Sequence, residues 1–131
     1  MTRITAEDLA AHTCEHQLAL FRAVFPNGAP VTVEAAAQAR AAGLNVQSAA
    51  RRLLARDVWH RYNTLTAPIW ARHRSEVVAL RARYDAEAAA IQDDSEIAAL
   101  WDRYEAEAAI LLDNRDTEAD AVLVQLLNSG V

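Results

Sequence analysis

The chain has 131 residues and a formal net charge of -5, long enough for a single domain to bury a core without metal or disulfide support. Alanine fills 30 positions while Gly and Pro contribute 3 each, which excludes the turn-rich all-β classes and predicts an all-α protein. Lone Cys14 excludes an internal disulfide. No basic start followed by an apolar run resembles a signal peptide, and no stretch approaches the roughly 20 apolar residues of a membrane helix, so a soluble cytoplasmic protein is expected.

Thr5 followed by Asp8 predicts a capping box that opens the first helix. Ala10, Cys14, Leu18, Phe21 and Phe25 then recur at helical spacing, widened by Leu20 and Val24, and Pro26-Asn27-Gly28 ends the stripe. Thr32 predicts the cap of a second helix that stops at Gly43, and Asn45 the cap of a third that carries Leu53 and Leu54 toward Trp59. Asn63 to Pro68 predicts a break or kink, with Thr66 as a new cap. Ile69, His73, Val77, Leu80, Tyr84, Ala88 and Ile91 predict one long amphipathic helix, and Asp93-Asp94-Ser95 a turn. Ile97, Leu100, Tyr104, Ala108 and Leu111 form the next stripe. Asp113 to Asp116 predicts a separator before a last helix containing Val122, Leu123, Leu126 and Leu127. The elements group as an N-terminal three-helix subdomain, 1–62, and a long helical segment, 63–131, within one compact helical bundle.

Charge is distributed unevenly. Residues 40–83 hold nine arginines against Asp57 and Glu76, whereas residues 84–131 hold Arg103 and Arg115 against twelve carboxylates. A reversal at Asp93 to Ser95 therefore makes the basic and acidic segments antiparallel neighbours, a coiled-coil-like helical hairpin whose register charge selects while apolar burial holds it. The same complementarity works between two chains, and an antiparallel homodimer is its simplest intermolecular form.

Along the basic segment a Trp-x-Arg-Tyr unit recurs: Trp59-His60-Arg61-Tyr62, Trp70-Ala71-Arg72-His73 and Arg81-Ala82-Arg83-Tyr84, then Trp101-Asp102-Arg103-Tyr104. The first three copies stand 11 residues apart, about 3.67 residues per helical turn, so each presents the same residues to one side of a rod. Tryptophans beside arginines either pack in a core or, where exposed, anchor protein interfaces. Trp59, Arg61, Trp70, Arg72, Arg74, Arg81, Arg83 and Trp101 are therefore the expected partner-binding face.

Three other patterns point to different chemistry. Val33 to Arg56 has the outline of a helix-turn-helix, with small or apolar Ala39, Gly43, Leu44 and Ala49 near the expected places and Arg52 where a buried residue belongs. Arg40, Arg51, Arg52 and Arg56 would then meet phosphates or guanine edges. His12-Thr13-Cys14-Glu15-His16 matches the H-x-x-E-H zinc motif, but a zinc enzyme needs a third ligand and a cleft, and two solvated histidines are the expectation. Cys14, on the apolar stripe, is expected to be a buried structural thiol. No phosphate-binding glycine loop and no nucleophile–base arrangement can be assembled, so neither a catalytic residue nor a metal or cofactor is expected.

Cys14, Gln17, Leu20-Phe21, Phe25-Pro26, Gly28 and Val31-Thr32, followed by units such as Thr66-Ala67-Pro68-Ile69-Trp70-Ala71, resemble a set of uncharacterised small phage and prophage proteins with tandem 11-residue units. In this chain the units are degenerate: Pro68 alone keeps the proline and Arg81 replaces Trp. The resemblance implies a phage-encoded accessory context in the host cytoplasm and carries over no catalytic residue. By analogy with small helical phage inhibitors of host defence, anti-CRISPR proteins among them, the expected function is non-enzymatic binding of a host protein. A DNA-binding regulator acting through segment 33–56 is the alternative.

Overall fold

The computed structural model describes residues 2–11 and 13–129. The fold is all-α: β1 (Arg3–Ile4), α1 (Ala6–Ala10), α2 (Glu15–Val24), β2 (Ala29–Pro30), α3 (Val33–Ala41), α4 (Val46–Leu53), α5 (Arg56–Ala89) and α6 (Asp94–Asn128). The described residues form two compact units, one containing residues up to Thr66 together with Ala119 onward, the other Ala67–Glu118. The end of α6 thus belongs with the N-terminal helices.

In the first unit local chemistry sets most boundaries. Thr5 caps α1 in a reciprocal box with Asp8, whose carboxylate accepts the Thr5 backbone N–H at 2.7 Å. The expected single N-terminal helix is instead two, because the chain bends after Ala10 and Cys14 becomes the N-cap of α2. Thr13 and Cys14 rank low in helix propensity, and the bend lets Leu9 and Leu18 both turn inward. Ala10 and Cys14 are exposed, so the apolar stripe starts at Leu18 and Cys14 is not the buried thiol expected. After α2 the chain pairs Arg3 with Pro30 and Ile4 with Ala29 in a two-stranded antiparallel ladder. Gly28 makes this crossing possible: its φ is 86°, and a Cβ there would lie 2.9 Å from the Ile4 carbonyl oxygen.

Two apolar clusters fill this unit. Leu9, Leu18, Phe21, Phe25, Ala29 and Ala35 form one, and Val31, Ala50, Leu54, Val58 and Tyr62 join Leu123, Leu126 and Leu127 of α6 in the other. A charged pair is set into this packing. Arg40 of α3 donates two parallel hydrogen bonds of 2.7 Å to Asp120 of α6, whose residue exposure is 2%.

In the second unit α5 and α6 run as an antiparallel hairpin around Leu80, Tyr84 and Leu100, flanked by Ala88, Ile91, Trp101, Tyr104, Ala108 and Leu111. The reversal occurs where Asp93-Asp94-Ser95 predicts it, with the Asp93 carboxylate accepting the Ser95 N–H at 2.8 Å. The two breaks expected at Asn63–Pro68 and Asp113–Asp116 are absent, and both helices run through them. Pro68 removes one helical hydrogen bond, but Val58, Tyr62 and Thr66 stack one turn apart on a buried face, and tertiary burial of that stripe outweighs the loss. The Thr66 hydroxyl, fully buried, donates to the Tyr62 carbonyl at 2.8 Å rather than capping a new helix. At 113–116 no Gly or Pro interrupts, and half-buried Arg115 and Asp116 pair with each other at 3.0 Å within the helix.

Candidate nucleic-acid interface

Helices α3 and α4 are joined by a turn whose geometry follows from one glycine. Gly43 adopts a φ of 94°; its N–H bonds the Arg40 carbonyl and the Leu44 N–H bonds the Ala39 carbonyl, each at 3.0 Å. That pair of bonds closes α3 in a Schellman motif, with Leu44 and Ala39 both packed against the first apolar cluster. Asn45 then caps α4 by accepting the Ser48 N–H at 2.9 Å.

The turn is also clamped from outside. The Gln17 side chain on α2 donates to the Gly43 carbonyl at 3.2 Å and accepts the Asn45 N–H at 3.0 Å. Gln17 is a structural residue that spacing alone does not reveal, because its partners lie more than 25 residues away.

Helix α4 is sharply amphipathic. Ala50 is fully buried and Val46, Ala49 and Leu53 face inward, while Gln47, Arg51 and Arg52 are exposed. Arg56, in the first turn of α5, is exposed as well. Among the described residues no carboxylate pairs with Arg51, Arg52 or Arg56. Arg40, grouped with them on sequence grounds, is instead committed to Asp120 and serves the core.

The residues expected to form a protein-binding face are arranged differently. Across the hairpin Arg72 pairs with Glu118, Arg83 with Glu107, and Arg103 with Glu87 at 3.6 Å. All three bridges share one register; the Arg72 and Arg83 bridges join the basic and acidic segments as the charge pattern predicts, whereas Glu87 and Arg103 both belong to 84–131. Within α5, Arg72 also reaches Glu76 at 3.4 Å and Arg81 reaches Asp85 at 3.2 Å. The tryptophans are half-buried rather than a free ridge. Trp101 meets Tyr84 and Tyr104 with ring centroids 6.4 and 5.5 Å away, and the Arg81 guanidinium lies 4.7 Å from its ring centre. Arg115 covers Trp70 at 5.0 Å, and Trp59 stacks on Tyr62 at 5.3 Å. The fourth repeat copy therefore packs on the third, and the repeat writes the hairpin seam more than an outer surface. Arg61 and Arg74 remain exposed without a carboxylate partner among the described residues.

The zinc-like motif is only partly within view. His12 lies outside the described residues, and Glu15 and His16 are exposed at the start of α2. Among the described residues no group of three His, Cys, Asp or Glu side chains is placed to hold a metal ion. No described helix is long and apolar enough to cross a membrane. No family model, curated protein or solved structure matches the chain.

Proposed function

We propose that the protein binds duplex nucleic acid through the α3–turn–α4 segment. The observation that carries this reading is the set of exposed arginines 51, 52 and 56 on and beside α4, without carboxylate partners among the described residues, on a helix that follows a Schellman turn. The arginines of the hairpin other than Arg74, by contrast, already have carboxylates or rings as partners. In this reading exposed Gln47, in the first turn of α4, would meet base edges as glutamine meets adenine, and the arginines suit phosphate or guanine. Charge supports the location: the first unit holds seven arginines and six carboxylates, the hairpin unit six and twelve.

Anisotropy of a labelled mixed-sequence duplex tests this. Affinity should fall steeply with salt, each neutralised phosphate contributing about 0.9 to the log–log slope. Arg51→Ala with Arg52→Ala should weaken binding about 10- to 100-fold and lower the slope by about 2. A duplex that does not bind in low salt, or a double variant indistinguishable from the parent, would remove the proposal.

A second reading, a protein partner for the hairpin, is favoured by Val78 and Ile110, which are 68% and 60% exposed. Val78 lies one turn from Arg74, which has no carboxylate partner among the described residues, so the two offer an apolar and cationic patch on α5 to a helical partner or to a second copy of this chain. In the phage setting suggested by the resemblance, such a partner would belong to a host defence complex. Val78→Glu with Ile110→Glu should then abolish association in sedimentation or pull-down experiments, with melting unchanged within about 0.5 kcal/mol, as expected for surface positions. An unchanged solution mass and unchanged capture in the double variant would dismiss this reading.

A further inference from the structure

The first unit contains a cavity of about 410 Å³ that opens between α2, α3 and α4. Its size falls within the range of small-molecule sites. Its wall is mostly apolar, built from Phe21, Phe25, Leu44 and Leu53 and from alanines too short to fill the space. Among its described lining residues Arg52 is the sole charged side chain. Two observations converge there. Arg52 lines the cavity yet is exposed, so it stands at the rim instead of filling the hollow. It is also without a carboxylate among the described residues.

An apolar hollow with one unneutralised guanidinium at its rim is complementary to an amphipathic anion. We infer that the cavity binds a monocarboxylic acid with an aliphatic or aryl-alkyl body, the apolar part lying among Phe21, Phe25, Leu44 and Leu53 and the carboxylate receiving a charge-assisted hydrogen bond from Arg52. The same guanidinium belongs to the cationic surface of α4. Occupancy therefore withdraws one cation from nucleic acid, so the ligand is an antagonist of binding. This regulatory half rests on the nucleic-acid reading; the ligand site does not.

Titration calorimetry with decanoate, below its micelle concentration, and with decanol as the uncharged counterpart tests the site without any nucleic acid present. Decanoate should bind with one-to-one stoichiometry and more tightly than decanol. Arg52→Gln should weaken decanoate about tenfold or more, the loss expected for a hydrogen bond to a charged group, and leave decanol within about twofold. Ala39→Leu, which occupies the hollow, should abolish both, with retention of the helical circular dichroism signal showing that the fold survives. No saturable heat with decanoate, or equal decanoate affinity in the parent and Arg52→Gln, would overturn the proposal. In the duplex assay, saturating decanoate should weaken the parent by the same factor as Arg52→Gln does and have no further effect on that variant. Undiminished duplex affinity under saturating decanoate would overturn the antagonism while leaving the site, and absence of duplex binding would fail the nucleic-acid reading alone.

Discussion

Arg40→Ala will destabilise the first unit by about 3–5 kcal/mol, the range for removing one member of a buried ion pair. The size follows from an asymmetry in the pair. Asp120 is 2% exposed, whereas the Arg40 side chain is 33% exposed, so removal of the arginine leaves a carboxylate that water cannot easily reach. Removal of the carboxylate leaves a guanidinium that can swing outward and hydrate. Asp120→Ala should consequently lose less, about 1–3 kcal/mol. Replacement of both residues by leucine should recover much of either loss, because apolar packing of similar volume needs no compensating partner. Urea unfolding midpoints at unchanged slope provide the comparison. Equal losses for the two single variants would mean that the ordering inferred from burial is wrong.

Leu100→Ala is expected to cost the hairpin about 2–5 kcal/mol, the range for truncating a fully enclosed leucine. Leu100 is 1% exposed, and it packs with Leu80 and Tyr84 between the two long helices. The cavity left behind borders the Tyr84, Trp101 and Tyr104 rings, so near-ultraviolet circular dichroism should lose the aromatic signal at lower denaturant than far-ultraviolet dichroism of the parent would suggest. The bridges across the hairpin cannot compensate. Their side chains are 44–66% exposed, and pairs of that kind contribute about 0.2–1 kcal/mol each. Loss of the Arg83–Glu107 bridge by Arg83→Ala should therefore shift the melting midpoint far less than Leu100→Ala. A reversed order would show that charge, and not burial, holds these helices together.

Features governed by neighbouring residues were legible in the amino-acid sequence. The caps at Thr5, Thr32, Asn45 and Asp93, the left-handed Gly43 and the apolar stripes of the hairpin all depend on residues within about two turns, where spacing and backbone chemistry suffice. The charge reversal between residues 40–83 and 84–131 also predicted the bridges of Arg72 and Arg83 across the hairpin, because their register follows from the turn. What escaped depended on distant partners. Pro68 and the polar run at Asp113 look like breakers until Tyr62, Thr66 and Arg115 are seen against the elements that bury them. Arg40 looked like one more surface cation because Asp120 lies 80 residues away. The tryptophans looked free because the tyrosines and arginines that cover them sit on the opposite arm of the hairpin or one turn along the same helix. The cavity had no linear signature beyond an arginine at an apolar position, and Arg52 was the visible trace of it.

The common register of the three bridges across the hairpin has a consequence for how its arms find each other. If α6 slid along α5 by one turn toward one end, Arg83 would face Arg103; toward the other, Glu87 would face Glu107. Either displaced arrangement sets like charges side by side, in addition to unseating Leu100 from its place against Leu80 and Tyr84. The bridges act less as fasteners than as a key cut for one seating, rejecting misaligned zippering while the aromatic rings lock the correct one.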